Sequence, residues 1–267
     1  MDSFSALMLG LLQGLTEFLP ISSSGHLVLA EWLLGIESQD LAFVVFVHFG
    51  TMLATLTAFR REVARMLLAG GRFAVRRATW ADPDLRLLVF IIVGTIPAAL
   101  VGLLFEERIE AIFSSPLTVS GMLLLTGLIL WFTRYLKAGA RAIGWRETIA
   151  VGCAQALAIL PGISRSGATI STALYGKVNK AAAVEFSFLL ALPAILGATL
   201  LQVLDLFQTP PAAETYVPLV LGTLTAYLSG YGAILLLLRA VRKGKLYLFS
   251  FYCWAVGLLA ALWFLLS

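Results

Sequence analysis

The chain has 267 residues, of which 60% are hydrophobic and only 13% charged, with a net charge of +4. A soluble domain carries about a quarter charged residues, so this composition excludes an ordinary cytosolic domain and puts the chain in the membrane class. The pI near 9.2 is not read as nucleic-acid binding, because basic loops in a membrane protein more often set its orientation.

The N-terminus carries Asp2 and no basic segment, and does not read as a cleavable signal peptide. The first apolar region, 4–36, is broken by "LPISSSGH". Three stretches long enough to cross a bilayer follow, at 42–59, 87–105 and 118–135. A second broken region, 148–177, contains "LPGISRSGAT". Three more spans follow, at 183–204, 217–238 and 247–266. Each broken region leaves two pieces too short to span, which describes a re-entrant hairpin; such backbone is tolerated at membrane depth only inside protein or along a cavity. The predicted fold class is therefore an all-α polytopic membrane protein with six transmembrane helices and two re-entrant helical hairpins. Cys153 and Cys253 lie in apolar segments and read as inert buried thiols.

Charge placement tests this layout. With both hairpins re-entrant and the loop 60–86 cytoplasmic, the inside segments are 60–86, 134–147, 177–180 and 239–245. They hold every one of the 19 basic residues except Arg108 and Arg165. The positive-inside rule then puts both termini outside. Residues 62–80 read as an interfacial helix or as a solvated loop.

The two halves, 1–140 and 141–267, resemble each other. "QGLTEFLPISSSG" from Gln13 parallels "QALAILPGISRSG" from Gln155, "GTIPAALVG" from Gly94 parallels "GTLTAYLSG" from Gly222, and "LILWF" parallels "LAALWF". Each half holds one hairpin and three spans, an odd number, so the second half is predicted to be inverted. Inverted repeats bring their broken helices together near the bilayer midplane, where substrate sites form.

Polar residues gather at these breaks. Gln13 and Glu17 are four apart and share a helix face. Pro20 ends that half-helix, Ser22, Ser23 and Ser24 form the turn, and the next half-helix starts near Gly25–His26. A helix start exposes unpaired N–H groups and suits an anion. The second hairpin repeats the device at Gly167, with Arg165 beside it and hydroxyls from Ser164, Ser166 and Thr169. An arginine at mid-membrane is costly and marks function, and its planar fork suits phosphate. Arg165 could instead pair with Glu17 or reach the interface, His26 could be a satisfied core histidine, and the serines could be helix caps. His48, Glu31 and Glu185 are read as structural or entrance residues. Together the groups contain the parts of phosphoryl transfer, and no nucleotide or redox motif accompanies them.

"QGLTEFLPISSSGH" and "PGISRSGAT" closely resemble the two motifs of the undecaprenyl-diphosphate phosphatase, or bacitracin-resistance, family, and the resemblance extends through "AVEFSFLLALPAILGA". It implies hydrolysis of undecaprenyl diphosphate to the monophosphate and phosphate at the bacterial inner membrane, recycling the lipid carrier of peptidoglycan synthesis. It implies site residues Gln13, Glu17, Ser23, His26, Ser164, Arg165 and Thr169, of which Glu17, Ser23, His26 and Arg165 are expected to be catalytic. Ser22, Ser24, Gly25, Ser164, Arg165, Ser166, Gly167 and Thr169 are expected to bind the diphosphate. The family is associated with divalent cations, so Mg2+ or Ca2+ is expected, with Gln13 and Glu17 as its ligands; glutamine at position 13 removes one carboxylate. His48 stands where a glutamine is expected. The expected partners are a long-chain prenyl diphosphate, the membrane and a second copy of the chain, with no nucleic acid. Of four nucleophiles, Ser23 is favoured over water, His26 and metal-bound hydroxide. A prenyl-phosphate flippase using the same anion site is the competing function, since inverted repeats with broken helices are transporter architecture.

Overall fold

The computed structural model describes residues 2–34, 41–75, 79–105, 115–137, 139–208 and 215–266. Arg108, Arg76, Arg77 and the side chain of Glu31 lie outside the described residues. Among the described residues there is no strand, only one isolated bridge between Arg141 and Val178.

The first broken region forms α1 (Ser3–Phe18) and α2 (Ser23–Leu34). Asp2 caps α1 by accepting a bond from Ser5 N at 2.7 Å. α3 (Leu41–Ala58) follows, and at Phe59 the chain turns 81° into α4 (Arg60–Ala74). α5 (Pro83–Leu104) starts with an Asp82 cap and Pro83 in its first turn, and α6 (Pro116–Phe132) starts with a Ser115 cap and Pro116. The second broken region forms α7 (Trp145–Leu157) and α8 (Arg165–Tyr175), and then α9 (Lys180–Gln208), α10 (Tyr216–Arg242) and α11 (Leu248–Leu266) complete the chain. α5, α6, α9, α10 and α11 are each long and apolar enough to cross a membrane, and α3 with α4 passes as a bent pair. Five of the expected spans are thus met by single helices, and the sixth, 42–59, falls on α3, which passes only together with α4. The half-helices are shorter: 16, 12, 13 and 11 residues. At 1.5 Å per residue none of these four reaches across an apolar core of about 30 Å.

Between the two readings of 62–80, the structure gives a helix for most of it. α4 buries Met66 and Ala69 and leaves Leu67, Leu68 and Phe73 exposed beside its arginines. That is the build of a helix lying in the membrane interface. The pair of buried thiols needs one correction: Cys253 is buried, but Cys153 is exposed on α7. An apolar segment predicts burial from water, and on this helix that burial is left to lipid.

The four basic segments meet on one face. Trp80 stacks on Trp145 at 5.9 Å. Arg141 N donates to Lys177 O and Asn179 N to Arg141 O, at 3.2 and 2.9 Å. Lys180 Nζ donates to Arg242 O. These contacts link 60–86 to 134–147, then to 177–180 and to 239–245, the segments that charge alone assigns to one side.

α1 packs on α10, and α7 packs on α5. Both seams depend on glycine. A methyl at Gly10 would collide with the backbone of Gly222, and one at Gly152 would sit 2.6 Å from the Gly94 carbonyl oxygen. Between the seams, α9 brings Phe186, Phe188, Leu189 and Leu190 into the main core, where Phe188 meets Phe18 edge-on at 5.5 Å. Gly152→Ala is expected to destabilise the protein by about 1–3 kcal/mol through overpacking. Gly232→Ala, with open space at the new methyl, should be neutral or stabilising. Thermal unfolding in detergent checks both.

Candidate active site

The tips of the two helix pairs touch. A Cβ on Gly25 would lie 3.0 Å from Gly162 Cα, and one on Gly167 3.3 Å from Pro20 Cβ. Each tip is built alike. Ser22 Oγ accepts from Gly25 N at 3.2 Å, and Ser164 Oγ accepts from Gly167 N at 3.1 Å. Ser22 meets Ser24, and Ser164 meets Ser166, through their hydroxyls. Breaking a helix leaves backbone groups without partners, and Thr126 on α6 serves the second break. Its hydroxyl donates to Gly162 O at 2.8 Å and accepts from Ser164 N at 3.0 Å.

At this junction Arg165 Nη2 donates to Glu17 Oε1 at 2.7 Å, although 148 residues separate them. Ser23 Oγ donates to Glu17 Oε2 at 2.8 Å, and Gln13 Nε2 donates to the same oxygen at 3.1 Å. The pairing of Arg165 with Glu17 and a functional arginine are compatible, because Nη1 of Arg165 is buried with no partner among the described residues. All of this group but Gln13 lines a cavity of about 420 Å3. Glu17, Ser22, Ser23, Ser24, Ser164 and Arg165 face it.

Several expected site residues lie elsewhere. Ser166 donates to Leu19 O at 3.4 Å, and Thr169 donates to Arg165 O at 2.7 Å and meets the Ser187 hydroxyl. Neither lines the cavity, nor do Gly25 and Gly167, so Thr169 supports the backbone that carries Arg165 rather than facing a ligand. His26 departs most from expectation. Its Nδ1 donates to Ser22 O, and its Nε2 bonds the Tyr252 hydroxyl on α11, both at 2.8 Å, with the two rings stacked. It faces a second, largely apolar cavity of about 410 Å3 against α11. His48, one of the residues the sequence assigns a structural or entrance role, lines the Glu17 cavity. Nothing in its sequence surroundings marks it, since "FVVFVHFG" is an apolar helix with one polar residue. Glu185, read as a structural or entrance residue, lies near Glu62, Arg65 and Asp84 beside the basic loops and does not line this cavity.

Gln13 and Glu17 bond each other, and Oε1 of Gln13 is buried with no partner among the described residues. Both oxygens of Glu17 are engaged, by Arg165 on one side and by Ser23 and Gln13 on the other. Gln13 turns its amide nitrogen toward Glu17, and among the described residues no three His, Cys, Asp or Glu side chains could hold a metal ion. An amide at position 13 donates to Glu17, where a second carboxylate would repel it.

The model of bacitracin resistance protein BacA matches residues 6–259. The chain belongs to that family. Its relatives include proteins named undecaprenyl-diphosphatase from Desulforapulum autotrophicum, Desulfosudis oleivorans and Salinibacter ruber. They are 42%, 45% and 45% identical to it. The alignments cover 97%, 96% and 99% of this chain and 98%, 97% and 100% of the relatives. The similarity therefore spans both tips and all six spans.

Proposed function

We infer that the protein is an integral-membrane undecaprenyl-diphosphatase, which hydrolyses undecaprenyl diphosphate to the monophosphate and phosphate and so recycles the lipid carrier. The observation that carries this reading is the triad Ser23–Glu17–Arg165 at the junction of the two tips. It offers a hydroxyl bonded to a carboxylate, and a guanidinium with one nitrogen free. The relatives are named as diphosphatases, and the flippase alternative gains no support from them. The bacterial inner membrane, peptidoglycan synthesis and bacitracin resistance are the setting this activity implies.

The proposed chemistry runs through the residues in place. Arg165 and the first-turn N–H groups of α2 and α8 hold the terminal phosphate and stabilise charge on its oxygens. Ser23 Oγ attacks phosphorus, its proton passes to Glu17, and the bond to the bridging oxygen breaks, releasing lipid monophosphate. Serine is a poor nucleophile unless a base lies beside it, and the 2.8 Å bond to Glu17 supplies one. Water then cleaves the phosphoserine, and Glu17 returns its proton to Ser23. A divalent cation, Mg2+ or Ca2+, would arrive on the diphosphate oxygens themselves, and no step here depends on it.

The test is phosphate release from a long-chain prenyl diphosphate by purified protein in detergent. Ser23→Ala and Glu17→Gln should each abolish turnover, and the double variant should be no worse than either, because the two groups act as a unit. Arg165→Lys keeps the charge but loses the fork, and should cost about 10²-fold. An alanine variant at 23 that keeps more than about a tenth of the activity, as loss of a positioning bond of about 1 kcal/mol would allow, would show that water attacks directly.

Both helix pairs are proposed to be re-entrant, within an inverted repeat of 1–140 and 141–267 that opens to the outer, periplasmic face with both termini outside. Three observations support this. Trp145 and Lys177, at the two ends of the second pair, both join the basic face. The seams Gly10–Gly222 and Gly152–Gly94 exchange equivalent positions of the halves. The two serine caps are equivalent as well. Ser22 is a poor reporter of access, being 3% exposed with φ at 69°. Ser24, which faces the cavity, is better. In a background with Cys153 and Cys253 replaced, Ser24→Cys should react with an impermeant thiol reagent added outside intact cells. Labelling only from the cytoplasmic side would reverse the orientation.

A further inference from the structure

We propose that His48 is a catalytic residue of the diphosphatase reaction, giving a proton from Nε2 to the bridging oxygen of the leaving lipid monophosphate. This rests on the diphosphatase reading above. The chain has two histidines. Both ring nitrogens of His26 are committed, one to Ser22 O and the other to Tyr252, and its ring lines a different cavity from Glu17. His48 is built the opposite way. Its Nδ1 bonds Val44 O at 2.8 Å. A carbonyl only accepts, so Nδ1 carries a hydrogen and the ring is held against its own helix. Nε2 has no partner among the described residues, and the side chain lines the cavity of Glu17, Ser23 and Arg165. One nitrogen anchored and the other free within a substrate-sized cavity is the arrangement that proton transfer needs.

The charged groups facing it are few. Glu17 comes from α1 and Arg165 from α8, while α9 brings only Ala194, Ile195 and Thr199 to the cavity. On the far side, α10 meets α3 through Thr223, which bonds Phe46 O, and Tyr227, whose phenol bonds Thr57.

The proton balance closes over one turnover. As Ser23 Oγ bonds phosphorus, its proton goes to Glu17, and protonated His48 supplies the proton that leaves with the bridging oxygen. When water attacks the phosphoserine, one water proton goes to His48, the hydroxyl stays on phosphate, and Glu17 reprotonates Ser23. Both groups end as they began.

A general acid contributes about 10²–10⁴-fold. The test measures kcat/KM for phosphate release between pH 5 and 9 in the native protein and in His48→Asn, with His48→Ala as the second variant should asparagine prevent folding. A proton donor at this position predicts a native profile that falls on the alkaline side. The variant should lose about 10²-fold or more, and that alkaline fall should disappear. His48→Ala should recover activity with added imidazole in proportion to its protonated fraction. A variant within threefold of native, or one that is slow but keeps the alkaline fall and ignores imidazole, would overturn the assignment while leaving the diphosphatase reading intact. Absence of phosphate release from the native protein would overturn both.

Discussion

The structure depends on one largely buried charge pair. Glu17 and Arg165 sit in half-helices 148 residues apart, and their contact at 2.7 Å is the only ion pair among the described residues that joins the two halves of the chain at the tips. An isolated buried charge is strongly unfavourable, and removing one partner of a buried pair leaves the other stranded. Each tip therefore needs the other to be present and correctly placed. The same requirement concentrates function, because a guanidinium that must be there for Glu17 still has a nitrogen left over for a ligand.

Bringing two broken helices together has a backbone cost, met locally. A break strands N–H and C=O groups that the helix no longer pairs. Ser22 and Ser164 take one N–H each, and Thr126 ties the second tip to α6. Close approach of the shafts needs small residues, as in other membrane helices; here Gly10 faces Gly222 and Gly152 faces Gly94. Around this polar junction the main core is phenylalanine and leucine, with Phe18 and Phe188 packed edge-on directly below the first tip. A rigid apolar surround fixes the tips, and a cavity of about 420 Å3 is left where the four half-helices cannot fill space.

Much of this was legible in the sequence, because the signals are local. Hydropathy located the six spans, and Pro, Ser and Gly located the two breaks. The i, i+4 spacing of Gln13 and Glu17 foretold their contact, and the weak repeat foretold that the tips would meet. What could not be read is the direction a side chain takes once its helix is packed. His26 stands among serines and looks like part of the site, yet its direction is set by Tyr252, 226 residues away. His48 stands alone in an apolar helix, where a structural and an entrance role read alike, and the packing of α3 against α1 and α10 places it at the cavity. Thr169 follows a motif but serves the backbone of Arg165. Cys153 fails for a related reason: apolar surroundings do not tell protein from lipid.

The central claim is that the Glu17–Arg165 pair couples the two tips, and a double-mutant cycle on stability tests it directly. Thermal or denaturant unfolding in detergent would be measured for the native protein, Glu17→Gln, Arg165→Gln and the double variant. Groups in one buried network show coupling of about 0.5–3 kcal/mol. The account predicts coupling of at least about 1 kcal/mol, with the double variant less damaged than the sum of the singles. Strict additivity of the two substitutions would contradict it.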